Sequence, residues 1–124
     1  MKLDKIIEVV EGVILNPSIY VDSDIKGGCG ADLMSDVLAA VQPGAVLLTG
    51  LCNPQVVRTA QIADVRAVIF VRGKEPFADT LEIATQEEIP LISSPYGMFE
   101  LCGRLFRSGL PSFESNLNDM DHYA

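Results

Sequence analysis

The sequence predicts a three-layer α/β fold, in which helices cover both faces of a mainly parallel sheet. Three apolar runs, at residues 46–49, 67–71 and 89–92, alternate with three helical patterns. Each run passes into a polar or proline-containing turn, as expected where a strand leads into a crossover helix. Crossovers of this kind join parallel strands and are right-handed. At 124 residues the chain has the length of one domain.

The N-terminal part predicts a helix followed by two weaker strands. Apolar residues recur at helical spacing up to Val10, and we expect Gly12 to end this helix. Residues 13–15 predict a short strand, and residues 22–28 predict an edge strand that runs into a tight turn. Both strands are expected to extend the sheet at its edges.

The glycine cluster at the end of the second weak strand predicts a turn. We expect its glycines to be needed for positive φ angles; they are Gly27, Gly28 and Gly30. The cluster lacks the spacing of a dinucleotide-binding motif and the Lys-Ser/Thr pair of a P-loop. Asp32 follows and is expected to cap the next helix, on which Met34, Val37, Leu38 and Val41 share one face.

The remaining helices begin near Pro54, Phe77 and Ser94, and each presents an apolar stripe to the sheet. The periodicity fades after residue 108. We therefore expect a single domain at residues 1–108 and an acidic, flexible C-terminal tail at residues 109–124.

Composition excludes several classes of partner. The chain carries 17 acidic and 9 basic residues, a net charge of −8, so neither nucleic acid nor an anionic membrane surface is an expected partner. Its apolar stretches are too short to cross a bilayer, and its start has no export signal. We expect a cytoplasmic protein.

The cysteines predict neither a disulfide framework nor a metal site. Cys29, Cys52 and Cys102 have no paired spacing, and the one histidine, His122, lies in the predicted tail. No metal, cofactor or catalytic constellation is expected, and a redox role for the thiols is left open.

The carboxyl ends of the strands are the expected place for a ligand, because the adjoining helix N-termini favour anions. The candidate ligand-binding residues there are Thr49, Asn53, Arg72, Ser93 and Ser94. The alternative for each is structural: Asn53 and Ser94 cap helices, and Arg72 is a solvated turn residue.

Residues 24–38 resemble the signature of the DRTGG-domain family. Asp24, Gly27 and Gly28 match its name motif, whereas Ile25 and Lys26 replace its Arg-Thr pair. Further similarity lies in the strand ending at Thr49 and at residues 89–95 and 99–105. The resemblance implies an accessory regulatory domain that forms homodimers, similar in fold to the N-terminal, non-catalytic domain of the bacterial phosphocarrier-protein kinase.

Three functions are compatible with these observations. The first is a non-catalytic regulatory or sensor module, dimeric, which binds a small anionic ligand such as a nucleotide at the carboxyl edge. The second is a protein-interaction or scaffold module without a ligand. The third, a redox-linked enzyme accessory, would need a constellation that the spacing of the residues does not provide.

Overall fold

The computed structural model describes residues 1–116 and contains one five-stranded sheet between two layers of helices. The helices are α1 (Leu3–Val9), α2 (Met34–Ala40), α3 (Gln55–Ile62), α4 (Ala78–Gln86) and α5 (Met98–Arg107). The strands are β1 (Val13–Ile14), β2 (Gly27–Gly30), β3 (Ala45–Thr49), β4 (Ala67–Phe70) and β5 (Leu91–Ser93). The three-layer α/β prediction is confirmed.

The strand order is β1-β5-β4-β3-β2, with β2 to β5 parallel and β1 antiparallel to β5. Strands β3 and β4 are buried on both faces, which explains their continuous apolar sequences. The weak strand predicted at residues 13–15 is confirmed as the edge strand β1, whereas the strand at the other edge, β2, lies at Gly27–Gly30 rather than at residues 22–28.

Each face of the sheet has its own apolar cluster. On one face, α2, α3 and α4 pack through Val37, Val57 and Ala84 against the sheet. On the other face, α1 and α5 pack through Ile6 and Leu101. Consecutive β-α units from β2 to α4 thus fill one layer, and the first and last helices form the other. None of the helices described in residues 1–116 is both long and apolar enough to span a bilayer.

The glycines of β2 are a correction to the sequence analysis. Gly27, Gly28 and Gly30 lie within a strand, and left-handed φ angles occur at other glycines, such as Gly44 and Gly73. Glycine is required in β2 because there is no room for a side chain, not because of the backbone conformation. A Cβ atom on Gly27 would lie 2.6 Å from Cγ of Phe113, and one on Gly30 would lie 3.0 Å from Sδ of Met98.

The end of α1 is a second correction. Glu11, not Gly12, adopts the left-handed conformation that follows the helix, with φ of 50°. Gly12 is required for packing, because a Cβ atom there would lie 2.5 Å from Cγ2 of Ile92.

Residues 110–115, hereafter the edge segment, run beside the outer edge of β2. The amide of Gly28 donates to the carbonyl of Pro111 (2.9 Å), and the amide of Phe113 donates to the carbonyl of Gly28 (2.8 Å). Leu110 is buried. The edge segment falls within the predicted tail, whose residues 117–124, including His122, lie outside the described residues. The domain boundary at residue 108 stays a prediction.

Candidate ligand site at the carboxyl edge of the sheet

Strands β4 and β5 are neighbours whose following helices lie on opposite faces of the sheet. Helix α4 follows β4 in one layer, and α5 follows β5 in the other. In open α/β sheets, the crevice outside the ends of two such strands is where ligands bind. The carboxyl ends of β4 and β5 therefore mark the candidate site.

The turn after β4 brings Arg72 to this crevice. The amide of Lys74 donates to the carbonyl of Val71 (3.1 Å), and Arg72 and Gly73 have φ angles of 59° and 66°. These values are those of a type I′ turn, whose first central position favours Asn, Asp or Gly. An arginine there is unusual, because a side chain disfavours positive φ.

The turn is fixed to the loop between β5 and α5. The amides of Arg72 and Gly73 donate to the carbonyls of Tyr96 and Ser94, both at 2.7 Å. The Arg72 side chain continues past the start of α5, since a Cβ atom on Gly97 would lie 3.8 Å from its Cγ. Gly97 is the N-cap residue of α5, and no side chain caps the helix. The side chain of an exposed arginine thus starts beside a helix N-terminus whose amides favour negative charge.

Lys74 is a second basic residue of this edge, and it was not among the predicted ligand-binding residues. A Cβ atom on Gly50 would lie 3.2 Å from Nζ of Lys74 and 3.5 Å from a carboxylate oxygen of Asp32. The ammonium group therefore lies over the turn after β3, one strand away from the Arg72 crevice. Lys74 lies in a turn, where the sequence has no helical or strand periodicity that could indicate the direction of a side chain.

Asp32 binds the β3 turn rather than capping α2, which corrects its predicted role. Its carboxylate accepts hydrogen bonds from the amide of Gly50 (2.6 Å) and the hydroxyl of Thr49 (3.1 Å). The N-cap position of α2 is occupied by Leu33 and has no side-chain hydrogen bond. Because Asp32 accepts this hydrogen bond, the amide of Gly50 is not available to bind an anion.

The predicted ligand-binding residues divide into two groups. Thr49 and Ser94 are buried, and their hydroxyls donate to Asp32 (3.1 Å) and to the carbonyl of Val10 (2.7 Å). Asn53, Arg72 and Ser93 are at least partly exposed. The Asn53 side chain accepts from the amide of Gln55 (3.0 Å) at the start of α3. The hydroxyl of Ser93 donates to the carbonyl of Lys74 (3.4 Å), so Ser93 lies beside the Arg72 turn.

The thiol at this edge is held protonated. Burial raises the pKa of Cys52 above its ordinary value; the charge of Lys74 partly opposes this effect, and the smaller effect of Asp32 adds to it. A protonated thiol is a poor nucleophile. Within residues 1–116, no three histidine, cysteine or acidic side chains are arranged to hold a metal ion.

Comparison with solved structures identifies the fold, whereas the two comparisons of the sequence find no match. No family model matches the chain, and no curated protein matches it significantly. The crystal structure of the CBS and DRTGG domains of the regulatory region of Clostridium perfringens pyrophosphatase, complexed with the activator diadenosine tetraphosphate, is similar to 94% of this chain, with a TM-score of 0.62 and 17% identity. The match covers 51% of that chain, so this chain spans about half its length. The fold is therefore DRTGG-like.

Proposed function

We propose that this chain is a non-catalytic regulatory module that binds a small anionic ligand of the nucleotide class in the crevice between β4 and β5. Arg72 carries the proposal. Of the four described non-glycine residues with positive φ angles it is the only basic one, and strained backbone positions cluster at ligand-binding sites. Arg72 is exposed, and its side chain passes beside the start of α5, which no side chain caps.

The structural neighbour supports the nucleotide class. That protein is the regulatory region of a pyrophosphatase, and its structure contains diadenosine tetraphosphate as activator. In this chain we expect phosphate oxygens to bind the Arg72 guanidinium and the first amides of α5, with Ser93 as a neighbouring hydroxyl. Lys74 would attract the ligand from the adjacent turn. The homodimer and the cytoplasmic location stay predictions of the sequence analysis.

Arg72→Asn separates binding from folding. Asparagine tolerates positive φ better than arginine, so the variant is expected to be at least as stable as the wild type without ligand. Loss of a charged hydrogen bond of about 1.5–3 kcal/mol corresponds to a roughly tenfold to hundredfold weaker affinity. The measurement is a thermal-shift titration with AMP, ADP, ATP and diadenosine tetraphosphate, because a ligand that binds the native state raises its stability.

Arg66→Ala is the matched control. Arg66 precedes β4 at the opposite end of the strand, and its guanidinium pairs with the exposed carboxylate of Asp64 (3.6 Å). The control should retain the full ligand-induced shift. The proposal fails if no nucleotide shifts the wild-type transition, or if Arg72→Asn retains the shift.

A further inference from the structure

A cavity on the other side of α5 has no part in the proposed anion site. It has a volume of about 380 Å³, within the range of small-molecule pockets. It lies where β2, α5 and the edge segment meet, and it shares no lining residue with the Arg72 crevice. Its floor includes the backbone of Gly28 and Gly30, which leave room because they have no side chains.

Gly103 lies in the helical wall of this cavity, and it also borders a second cavity between α1 and α5. It lies in the interior of α5, where glycine is a poor helix former. A Cβ atom there would meet nothing within 4 Å, and its φ is not left-handed. Neither packing nor backbone conformation therefore requires glycine at this position. A larger side chain there would have room to extend beside the cavity.

Two phenylalanines on the same helix line the cavity but are not covered by the domain. Phe99 is 95% exposed and Phe106 is 69% exposed. They lie four residues before and three residues after Gly103, so all three share one side of α5. Large apolar side chains at this exposure, beside a cavity, are typical of a binding surface. Aromatic ring faces also attract cations.

The charge of the lining favours a cationic ligand. Glu114 carries the only formal charge among the described residues that line the cavity, and its carboxylate accepts the thiol hydrogen bond of Cys29 (3.4 Å). Burial and the charge of Glu114 raise the pKa of Cys29 to about 12, and the same two causes raise the pKa of Cys102. Both thiols therefore remain neutral at physiological pH. A cationic group would pair with Glu114 while an apolar body fills the space beside Gly103.

We propose that this cavity, lined by Gly103, Phe99, Phe106, Cys102 and Glu114, binds a small amphipathic amine with an aromatic or alkyl body. The site is independent of the proposed anion site, because its charge has the opposite sign and its residues are different.

A matched set of probes tests the charge preference. The probes are 2-phenylethylamine, its neutral analogue 2-phenylethanol and its anionic analogue 3-phenylpropionate, each titrated into the ¹⁵N-labelled full chain and followed through the amide of Gly103. We expect the amine to bind at least fivefold more tightly than the carboxylate. Glu114→Gln should remove this preference and leave 2-phenylethanol binding unchanged. Equal binding of amine and carboxylate to the wild type would overturn the proposal.

Gly103→Leu tests the location by filling the cavity. Leucine is a better helix former than glycine, so the variant should fold, and amine binding should fall at least tenfold. Gln86→Leu, an exposed substitution on α4, is the control and should bind normally. Retention of binding in Gly103→Leu would refute the location. Nucleotide binding should be unaffected in Gly103→Leu, so the two proposed sites can fail separately.

Two further measurements test other occupants of the cavity. A chain ending at Asn116 should bind the amine as the full chain does. If only the shortened chain binds, residues 117–124 compete for the cavity and the proposal is wrong. The affinity should also be the same at low and high protein concentration. Weakening at high concentration would show that a second copy of the chain occupies the cavity instead.

Discussion

Cys29 couples the stability of the folded chain to pH. Its pKa is raised from 9.0 to about 12, first by burial and then by the negative charge of Glu114. Between these values the folded chain keeps a proton that the unfolded chain loses. The folded state therefore binds more protons, and the free energy of unfolding falls as pH rises through this window.

Cys29→Ala should remove this dependence. Its stability relative to the wild type is expected to rise between pH 8 and pH 10.5, by up to about 1.4 kcal/mol per pH unit above pH 9. Urea unfolding followed by circular dichroism at several pH values measures the difference. Because both chains retain Cys52 and Cys102, their contributions cancel. Parallel loss of stability in the two chains would contradict the prediction.

Alanine substitutions of Gly27 and Gly103 provide a second test at the scale of single residues. A Cβ atom on Gly27 would lie 2.6 Å from the Phe113 ring, whereas one on Gly103 would meet nothing within 4 Å. Gly27→Ala is expected to destabilise the chain by about 1–3 kcal/mol, because the edge segment must move. Gly103→Ala is expected to stabilise it by about 0.5–1 kcal/mol. Denaturant midpoints would measure both, and effects of the same sign would contradict the argument.

At the scale of elements, the side chain of Asn16 extends the short strand β1. Its amide nitrogen donates to the carbonyl of Ile89, and its amide oxygen accepts from the amide of Leu91, both at 2.9 Å. Asn16 is only 4% exposed. Asn16→Ala would leave two buried backbone groups unpaired, and we expect a loss of about 2–3 kcal/mol in the free energy of unfolding.

The matched control for this element is Asn53→Ala. Asn53 is half-buried and makes one hydrogen bond at a helix start, so its loss should cost only about 1 kcal/mol. Thermal and urea unfolding of both variants provide the comparison. A larger effect at Asn53 than at Asn16 would show that the Asn16 bonds do not hold β1 to β5.

The elements also show what the sequence could predict. Strands β3 and β4 were predictable because burial on both faces requires continuous apolar residues. The sequence did not predict that the glycines themselves form strand β2. They do so because they pair with β3 on one side and with the distant Phe113 on the other. Likewise, the sequence predicted Arg72 and Ser93 at the carboxyl edge. It could not show that Lys74 folds back towards Gly50, because that contact depends on the turn.

At the scale of the whole molecule, acidic repulsion should limit stability. The net charge is −8, and the ion pairs within residues 1–116 involve exposed side chains, as between Lys5 and Glu8. Raising KCl from 0.1 to 1 M shortens the screening length from about 10 Å to about 3 Å. We expect Tm to rise by a few degrees, measured by differential scanning calorimetry. The rise should disappear near the isoelectric point, and its persistence there would indicate a cause other than charge.

The two helical layers also differ in when they can form during synthesis. The layer of α2, α3 and α4 comes from consecutive β-α units, so each unit can pack soon after it leaves the ribosome. The opposite layer joins α1, through Leu3 and Ile6, to Leu101 and Leu105 of α5. Until residues 98–107 have emerged, the part of α1 that packs on α5 lacks its partner. We expect this apolar surface to stay uncovered on the nascent chain until then.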